Sequence, residues 1–255
     1  MLAEQRRNQI LDILTSKGAV TVAQLHRQLK VSQETIRRDI TKLAAENRLR
    51  KTHGGALAMQ QVEPDLADRM SVNIEGKQLI GSAAAELVPD GASIIIDSGT
   101  TTLCLAEALI SHQGLTVFTN DMHIAGKLAG RNDNRVHILG GELIGNEGAA
   151  AGRDTTEMLQ NYLTDFSFIG ASALDADTLL TDYSREIAEL RSQMMAQGRI
   201  VVLLTDSSKF GKRAPVRVGH LDQLTHIISD KKMTSGLLAA VKRLNVEIII
   251  ATAKE

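Results

Sequence analysis

From Lys77 onward the chain alternates short apolar segments with helix-like segments, and this alternation restricts the fold more than any other feature. Apolar runs such as ASIIID, LTVFT, RIVVLLTD and VEIIIAT have the length of buried strands. The segments between them include KQLIGSAAAELV and SREIAELRSQMMAQ, which have the length and composition of helices. Because strands that alternate with helices usually form a sheet covered on both faces, the sequence predicts an α/β domain with a largely parallel sheet.

The first sixty residues follow a different pattern, in which apolar residues recur at helical spacing. Thr21 and Ser32 each precede a short helical segment and are suitable N-cap residues. In the segment after Ser32, the side chains of Ile36, Ile40 and Leu43 fall on one helical face, which we expect to be buried. Two helices joined by so short a turn predict a helix-turn-helix, whose second helix enters the major groove of DNA.

Polar residues that lie off this buried stripe are candidates to contact DNA. An arginine offers a bidentate donor fork to guanine or phosphate, and a glutamine can pair with adenine. The segment RLRKTHGGA follows the third helix and predicts a basic β-hairpin wing beside the duplex backbone. Asp39 would repel phosphate, so we expect it to orient an arginine or to face the helix-turn-helix frame. The candidate DNA-binding residues are Thr21, Ser32, Gln33, Thr35, Arg37, Arg38, Thr41, Arg50, Lys51 and His53.

The alternative for the arginines is an ordinary solvated helix face, and the distribution of charge bears on this choice. The chain has 255 residues and a net charge of −1, yet residues 1–60 hold eleven Lys and Arg against five Asp and Glu, a net of +6. The remainder holds 18 basic and 25 acidic residues, a net of −7. A small basic unit on an acidic body indicates a module that binds a polyanion, and it favours contact with DNA.

Polar residues also follow several predicted strands, at the ends where ligands bind in open α/β sheets. DSGTTT follows ASIII and opens a helix, where Gly99 permits an unusual backbone angle and free amides favour an anion. Lys209 in DSSKFG can meet a phosphate as a point charge, unless it only forms a surface ion pair with Asp206. Such a loop can also merely cap a helix. The candidate effector-binding residues are Asp97, Ser98, Gly99, Thr100, Thr101, Thr102, Thr119, Asn120, Gly140, Gly141 and Lys209.

Two sets of motifs resemble the DeoR family of bacterial transcriptional regulators. TIRRDITKL matches the family's T-x-RRD-[IL]-x-x-L core, and HGGA follows it at 53–56 after a basic strand. Over residues 75–250, GTT, TN, GG-x-L, FIGA and DSSKFG occur in the order of the family's effector domain. That domain is similar to ribose-5-phosphate isomerase, whose glycine–threonine loop holds the sugar phosphate. The resemblance implies an N-terminal winged helix-turn-helix, and a larger α/β domain that senses a phosphorylated sugar or related catabolite.

The chain departs from the family's pattern near residues 172–186. Leu179 stands where relatives often have glycine, and Ala173 also stands where glycine is frequent. The shape of the pocket near these residues, and therefore the identity of the ligand, does not transfer with the resemblance.

Residues 57–72 contain Pro64 and several charges without clean periodicity, which indicates a linker. The predicted domains are a winged helix-turn-helix over 1–56, a linker over 57–72, and an α/β effector-sensing and oligomerisation domain over 73–255. Because helix-turn-helix proteins usually read two half-sites, we expect a homo-oligomer. With one cysteine, Cys104, and no signal-peptide or membrane-spanning pattern, we expect a cytoplasmic protein.

These observations favour a transcriptional repressor of carbohydrate catabolism genes whose affinity for operator DNA is modulated by a phosphorylated sugar. The alternative is a sugar-phosphate isomerase-like enzyme with an appended DNA-binding module, for which Asp97, Glu142 and Glu186 are the available carboxylates. A DNA-binding scaffold without a ligand is a third interpretation, but it leaves the polar loops at successive strand ends unexplained. We expect no catalytic residues, cofactor or metal, because the sequence has neither an isomerase acid motif nor metal-ligand spacing.

Overall fold

The computed structural model describes residues 3–17, 19–46, 48–52, 54–58, 63–145 and 147–253. Clustering of contacts along the chain separates an N-terminal unit, Met1–Val62, from a C-terminal unit, Glu63–Glu255. Among the described residues, no helix is both long enough and apolar enough to cross a lipid bilayer.

The N-terminal unit combines three helices with a small antiparallel sheet. Its elements in chain order are α1 (Ala3–Lys17), β1 (Ala19–Thr21), α2 (Val22–Leu29), α3 (Gln33–Ala45), β2 (Leu49–Thr52) and β3 (Gly55–Ala58). The strands lie in the order β1–β3–β2, and β2 and β3 form the hairpin that the sequence predicted. Strand β1 was not predicted, because three residues are too few to show an alternating pattern.

One apolar cluster joins the three helices of this unit. Ile10 of α1, Leu25 of α2 and the three α3 residues Ile36, Ile40 and Leu43 are each at most 1% exposed. The predicted stripe on α3 is therefore confirmed, and the opposite face of that helix is left to solvent.

Capping side chains fix the helix-turn-helix at both helix starts. The Thr21 hydroxyl accepts a hydrogen bond from the Gln24 amide, while the Gln24 side chain accepts one from the Thr21 amide, which completes a capping box. The Ser32 hydroxyl accepts from the Thr35 amide at the start of α3. Between the two helices Lys30 has a φ of 54°, so the turn uses a left-handed residue that is not glycine.

The wing contains one position where only glycine fits. Gly55 of β3 pairs with Thr21 of β1, and a Cβ atom on Gly55 would lie 2.0 Å from the Val20 carbonyl oxygen. Its neighbour Gly54 has no atom within 4 Å of the corresponding position. The close approach of β1 and β3 therefore depends on the second glycine of the HGGA motif.

The C-terminal unit is an α/β domain. Its helices are α4 (Leu66–Ser71), α5 (Ile74–Ala85), α6 (Thr100–Ala108), α7 (Met122–Leu128), α8 (Arg153–Leu159), α9 (Arg185–Gln197) and α10 (Ser235–Lys242). Its strands are β4 (Ser93–Ile96), β5 (Thr116–Thr119), β6 (Arg135–Ile138), β7 (Glu142–Leu143), β8 (Ala150–Ala151), β9 (Thr164–Gly170), β10 (Ala173–Asp175), β11 (Leu179–Asp182), β12 (Gly198–Leu204), β13 (Val216–Arg217), β14 (His226–Ser229) and β15 (Glu247–Ile250). Short 3-10 turns lie at Leu109–Ser111, Ser207–Lys209 and Leu221–Gln223.

A seven-stranded sheet in the order β15–β14–β12–β9–β4–β5–β6 forms the centre of this unit, and all six pairings are parallel. The prediction of a parallel α/β domain is confirmed. The C-terminal unit also contains two small antiparallel sheets, β10–β11–β13 and β7–β8. The sequence did not predict the strands of these sheets.

Apolar side chains on the two faces of the large sheet form separate clusters. Ile94 and Ile96 of β4 belong to one cluster, and Ile95 belongs to the other. Successive strand residues point to opposite faces, so a run of three isoleucines is what a strand buried on both sides requires.

Strand order places a topological switch point between β4 and β9. From β4 the chain builds outward through β5 and β6, and then returns to the other side of β4 with β9, β12, β14 and β15. In open α/β sheets the crevice outside the carboxyl ends of the strands at such a point is the usual ligand site. This crevice lies beyond Asp97 on one strand and Gly170 on the other.

The boundary between the two units, after residue 62, falls inside the predicted linker, 57–72, but both ends of that segment belong to the units themselves. Residues 57 and 58 complete β3 of the N-terminal unit, whereas residues 63–71 belong to the C-terminal unit and include α4. Arg69 explains this difference, because its guanidinium is only 9% exposed and it donates to the Pro64 carbonyl and to Glu63. Tertiary contacts of one arginine order a segment whose sequence has no periodicity.

Candidate functional site

The exposed face of α3 presents the arginines that the sequence selected. The side chains of Arg37 and Arg38 are 58% and 82% exposed. Each lies near Glu34, at 3.9 Å and 3.6 Å between the nearest nitrogen and oxygen atoms. Exposed pairs of this kind are worth only about 0–1 kcal/mol, so both guanidinium groups can leave Glu34 for another anion.

Asp39 turns away from that face, as the sequence analysis expected. Its carboxylate is buried and accepts a hydrogen bond from Arg6 Nε of α1 at 2.5 Å, with Arg7 3.9 Å away. The negative charge of the RRD motif therefore holds α1 against α3, and the exposed side of α3 keeps only the two arginines and Glu34 as charged groups near its start.

The wing contacts the same helix through one basic residue. Lys51 Nζ donates to Thr41 Oγ1 at 2.9 Å, and Thr41 Oγ1 in turn donates to the Arg37 carbonyl at 2.8 Å. This contact places the Lys51 ammonium group beside the exposed face of α3. Arg50 lies in β2, and His53 falls outside the described residues.

Among the remaining candidates of this unit, some side chains cap helices and others are simply exposed to solvent. Thr21 and Ser32 are exposed but use their hydroxyl oxygens as helix caps, and Thr35 is half-buried with its hydroxyl 2.9 Å from that of Ser32. Gln33 is exposed on the first turn of α3. Ser32, Gln33 and Thr35 lie at the start of α3, the part of a recognition helix that meets base edges, whereas Thr21 lies at the start of α2.

In the C-terminal unit, the ends of β4 and β5 are tied together by one amide side chain. Asn120 Oδ1 accepts from the Ser98 amide at 3.1 Å, and Asn120 Nδ2 donates to Ser98 Oγ and to the Ala150 carbonyl. Thr119 Oγ1 accepts from the Asp121 amide at 3.1 Å. The predicted residues Ser98, Thr119 and Asn120 thus form one buried turn.

Helix α6 begins at this turn without a side-chain cap. Its N-cap residue, Gly99, has a φ of 142°, and Thr100 and Thr101 are each 8% exposed. Asp121 accepts hydrogen bonds from the first amides of α7 and from the Gly99 amide, and burial raises the pKa of its carboxyl. A buried, uncapped helix start offers free amides and a partial positive charge to an anion.

Asp97, at the end of β4, is wholly buried and forms an ion pair. Its Oδ2 accepts from Arg191 Nε at 2.7 Å and from the Gly170 amide at 3.0 Å, while Oδ1 has no hydrogen-bond partner among the described residues. Arg191 Nη1 also donates to Asp182 and to Ser172 Oγ. The switch point between β4 and β9 is thus lined by a buried network of charged groups.

Three cations lie at or near this network. Lys209 is partly buried, and burial lowers its pKa while the carboxylates of Glu63 and Asp206 oppose that change. Lys77 is 1% exposed, donates to the Arg69 carbonyl, and has its pKa lowered by burial. Arg69 itself pairs with Glu63 at 3.3 Å and lies 2.6 Å from Glu147, although the latter contact does not have hydrogen-bond geometry.

The alternative interpretation of Lys209, a surface ion pair with Asp206, is wrong. Asp206 is wholly buried, its Oδ1 accepts from Asn73 and Ser208, and no carboxylate of the described residues lies within 4.0 Å of the Lys209 ammonium group. The amine of Lys209 is therefore a partly desolvated cation whose charge is balanced only at a distance.

Gly140 and Gly141 follow β6 at a separate place. The Gly140 carbonyl accepts a hydrogen bond from Thr155 Oγ1 at 2.7 Å. Gly141 has a φ of 143°, and a Cβ atom on it would lie only 2.2 Å from Thr155 Oγ1. Both glycines are exposed and pack on α8. The structure gives no contact that joins them to Asp97 or to the start of α6. Among the described residues no group of three His, Cys, Asp or Glu is arranged to hold a metal ion.

Comparison with known protein families decides what these two units are. Residues 6–62 match the DeoR-like helix-turn-helix domain, and residues 72–231 match the DeoR C terminal sensor domain. The chain belongs to the DeoR family. It is a DNA-binding transcription regulator whose C-terminal unit is a sensor domain.

Relatives of this DeoR-family chain match it over nearly their whole length. A glycerol-3-phosphate regulon repressor of Escherichia coli (strain K12) is 32% identical over 231 residues, which cover 90% of this chain and 92% of the relative. The glycerol-3-phosphate regulon repressor of Haemophilus influenzae is 30% identical, over 98% of this chain and 97% of the relative. Among solved structures, ribose 5-phosphate isomerase A from Neisseria gonorrhoeae aligns with 18% identity and a TM-score of 0.39 over 54% of this chain and 53% of that one, a likeness too distant to bear on function.

In this DeoR protein, sequence reasoning missed three charged residues at or near the switch-point network. Arg69 lies within a segment without periodicity and Lys77 follows that segment; neither residue belongs to a motif. Arg191 had a weak signal, because it lies three residues after Ala188 and three before Met194 on the buried face of α9. A charged residue on an apolar stripe is a candidate for a buried ion pair.

Leu179 departs from the DeoR pattern in residue type but not in backbone. Its φ is 56°, in the left-handed region that favours glycine. The half-buried side chain packs against the apolar cluster of α9 and α10. The chain therefore keeps a glycine-like backbone at this position and adds a leucine side chain to the apolar cluster.

Proposed function

We propose that this protein is a repressor of carbohydrate catabolism genes, and that a phosphorylated sugar or related catabolite changes its affinity for operator DNA. The observation that carries the proposal is the start of α6, which has no side-chain cap. Thr100 and Thr101 are buried there, and their backbone amides are available to donate hydrogen bonds to an anion. The names of the two relatives, both repressors of a glycerol-3-phosphate regulon, agree with an effector that carries phosphate.

Groups around this helix start suit the remainder of such a ligand. A phosphate at the α6 amides would attract Lys209, whose charge has no carboxylate within 4.0 Å among the described residues. A sugar hydroxyl would be a partner for Asp97 Oδ1, one of the buried acceptors that have none among the described residues. With aromatic residues at 2% of the chain, recognition would depend on hydrogen bonds and charge rather than on stacking.

For the DNA-binding unit, we propose that Arg37 and Arg38 read base edges or phosphates from the start of α3, with Lys51 on the duplex backbone. The arginines are exposed and Asp39 is turned inward, so the face has a net positive charge toward DNA. A single helix-turn-helix reads one half-site, which is why we also propose a homo-oligomer that acts on operator DNA in the cytoplasm.

The isomerase alternative lacks a suitable base. Asp97 is held by Arg191 in a buried ion pair, and Glu142 is exposed on β7. Glu186 accepts a hydrogen bond from Ser184, which lowers the pKa of its carboxyl and makes it a weaker base. A general base works best with a pKa near the operating pH. We therefore propose a binding function for the site and not catalysis.

The test requires the operator, which chromatin immunoprecipitation of the tagged protein in its source cells would locate. Operator affinity is then measured by fluorescence anisotropy across a series of sugar phosphates, for the wild type and for Thr101→Val and Lys209→Ala. We expect the variants to bind DNA as the wild type does but to lose the response to the effector. The Lys232→Ala variant, which removes an exposed lysine elsewhere, serves as the control. If both site variants respond like the wild type, the effector site lies elsewhere.

A further inference from the structure

Glu63, the first residue of the sensor unit, places its carboxylate among the donors of the sensor site. Glu63 Oε1 accepts from Arg69 Nη1 at 3.3 Å and from Ser172 Oγ at 3.2 Å. The side chain is only 19% exposed. A residue at the boundary between the two units thus reaches into the polar network that includes Asp97 and Arg191.

The contact between Glu63 and Ser172 is incomplete, because Ser172 has one proton to donate and two carboxylates to receive it. Ser172 Oγ lies 2.7 Å from Asp182 Oδ2 and accepts from Arg191 Nη1 at 3.0 Å. A hydroxyl donates a single hydrogen bond, so the shorter contact with Asp182 takes the proton. Glu63 is consequently held mainly by positive charge.

Arg69 and Lys209 supply part of that charge, and the Arg191 guanidinium also lies close enough to interact with Glu63. The Arg69 guanidinium is 3.3 Å from Glu63, and Lys209 lies near enough for the Glu63 carboxylate to raise the Lys209 pKa, against the larger lowering by burial. Lys209 has no carboxylate within 4.0 Å among the described residues, and Glu63 has the strongest electrostatic effect on it of the nearby acids. Lys209 is also the cation proposed above to hold the effector's phosphate.

We propose that the Glu63 carboxylate is a tethered competitor, which an anionic group of the effector displaces from Arg69 and Lys209. A phosphate dianion attracts both cations more strongly than a single carboxylate does, and it gains the amides of α6, which Glu63 does not contact. Once the phosphate is bound, like charge repels Glu63 from its position. The inference rests on the proposed function, because it needs an effector that carries an anion.

Displacement of Glu63 would give the sensor site a direct route to the DNA-binding unit. Glu63 is where the chain enters the sensor unit, so its release frees the covalent connection at its sensor end. Coupling between two binding events is reciprocal, so the interactions that hold Glu63 in place also weaken the binding of the effector. Removing its charge should therefore tighten effector binding, whereas the loss of a merely structural contact should weaken it.

The first experiment measures ligand affinity by isothermal titration calorimetry on the full chain. The probes are glycerol 3-phosphate, ribose 5-phosphate, fructose 6-phosphate and inorganic phosphate, each applied to the wild type and to Glu63→Gln. We expect Glu63→Gln to bind the best of these probes at least about fivefold more tightly, the lower end of the range for coupled sites. Glu157→Gln, which removes the partner of the exposed Arg153, is matched in charge and should leave affinity unchanged.

The second experiment uses the wild type alone, so it does not depend on whether the variant folds. Amide hydrogen exchange is followed by mass spectrometry with and without the best probe. We expect exchange to rise in residues 63–71, as the segment is released, and to fall in residues 100–108. If no probe binds either protein, the proposed phosphorylated effector and this inference both fail. If a probe binds but Glu63→Gln does not tighten it, or exchange falls in 63–71, the tethered carboxylate is rejected and the proposed function stands.

Discussion

Asp97 and Arg191 form a buried ion pair, with 2.7 Å between Oδ2 and Nε, across 94 residues of sequence. Asp97 ends the central strand β4, and Arg191 comes from the middle of α9. The pair connects the central strand to a helix on one face of the sheet, at the switch point where we propose that the ligand binds. It is therefore a structural element of the sensor domain as well as part of its polar lining.

Loss of Arg191 should destabilise the sensor domain severely. Arg191→Ala leaves the buried carboxylates of Asp97 and Asp182 without a counter-charge, and breaking a buried pair in this way costs about 3–5 kcal/mol. Arg199→Ala is the control, because Arg199 is 69% exposed and pairs with Asp165 at 3.5 Å; it should cost less than about 1 kcal/mol. Urea denaturation followed by circular dichroism compares the two, and equal midpoints would show that the buried pair adds nothing.

Replacement of Arg38 should weaken specific DNA binding without loss of stability. Arg38 is 82% exposed, so Arg38→Ala removes no core contact. A good bidentate contact to a base discriminates by about 1–3 kcal/mol, and the double variant with Arg37→Ala should lose more. Arg153→Ala removes an arginine that is equally exposed, at 84%, and that also pairs with a glutamate on its own helix. Fluorescence anisotropy on operator DNA should show wild-type affinity for Arg153→Ala only.

Lys51 should contribute affinity without sequence preference. Its ammonium group is held beside the exposed face of α3 by Thr41, and we propose that it contacts the phosphate backbone there. We expect Lys51→Ala to weaken binding to operator and to random duplex alike, and to lower the slope of log affinity against log salt by roughly one. Titrations at several salt concentrations measure the slope, and an effect confined to the operator would instead indicate a base contact.

The two glycines of the wing should differ sharply in their tolerance of alanine. In Gly55→Ala the new Cβ would lie 2.0 Å from the Val20 carbonyl oxygen, so β1 and β3 must separate, at a cost of about 1–3 kcal/mol or more. Gly54→Ala meets no atom within 4 Å and should be nearly neutral. Thermal unfolding of both variants provides the measurement. An equal loss of stability would mean that the strands do not approach so closely.

At Leu179 the usual order of alanine and glycine should be reversed. Both Leu179→Ala and Leu179→Gly remove the same packing, but with a φ of 56° only the glycine relieves the backbone. We expect the glycine variant to be more stable than the alanine variant by about 1 kcal/mol. Chemical denaturation measures the difference, and a more stable alanine variant would show that the residue is not left-handed in solution.

Much of the fold follows from local sequence patterns. The stripe of Ile36, Ile40 and Leu43 and the runs of apolar residues in the parallel strands each express the burial of a single element, which a short window of sequence records. Asp39 was also interpreted correctly, because its carboxylate would repel phosphate on the DNA-facing side of the helix and is instead paired with Arg6.

Only part of the candidate sensor site could be predicted from the sequence. The DSGTTT turn could be recognised, because the chain itself brings its glycine and threonines together. The partners of Asp97 could not, since Gly170 and Arg191 reach it only through the packing of distant elements. Arg69 shows the same difficulty, because contacts with Glu63 and Pro64, and not periodicity, make residues 63–71 part of the sensor unit.

The order of the sheet also has a consequence for how the protein is made. The DNA-binding unit has its own apolar cluster within the first 62 residues, and domains generally fold from the N-terminus as they leave the ribosome. The central strand β4, however, can pair with β9 only after β9 has been synthesised, and Asp97 can form its ion pair only after Arg191 has been synthesised. A message with a premature stop codon between β4 and β9 would encode a chain with every residue proposed to contact DNA but without a complete sensor domain. We expect such nonsense alleles to differ in phenotype from a deletion of the whole gene.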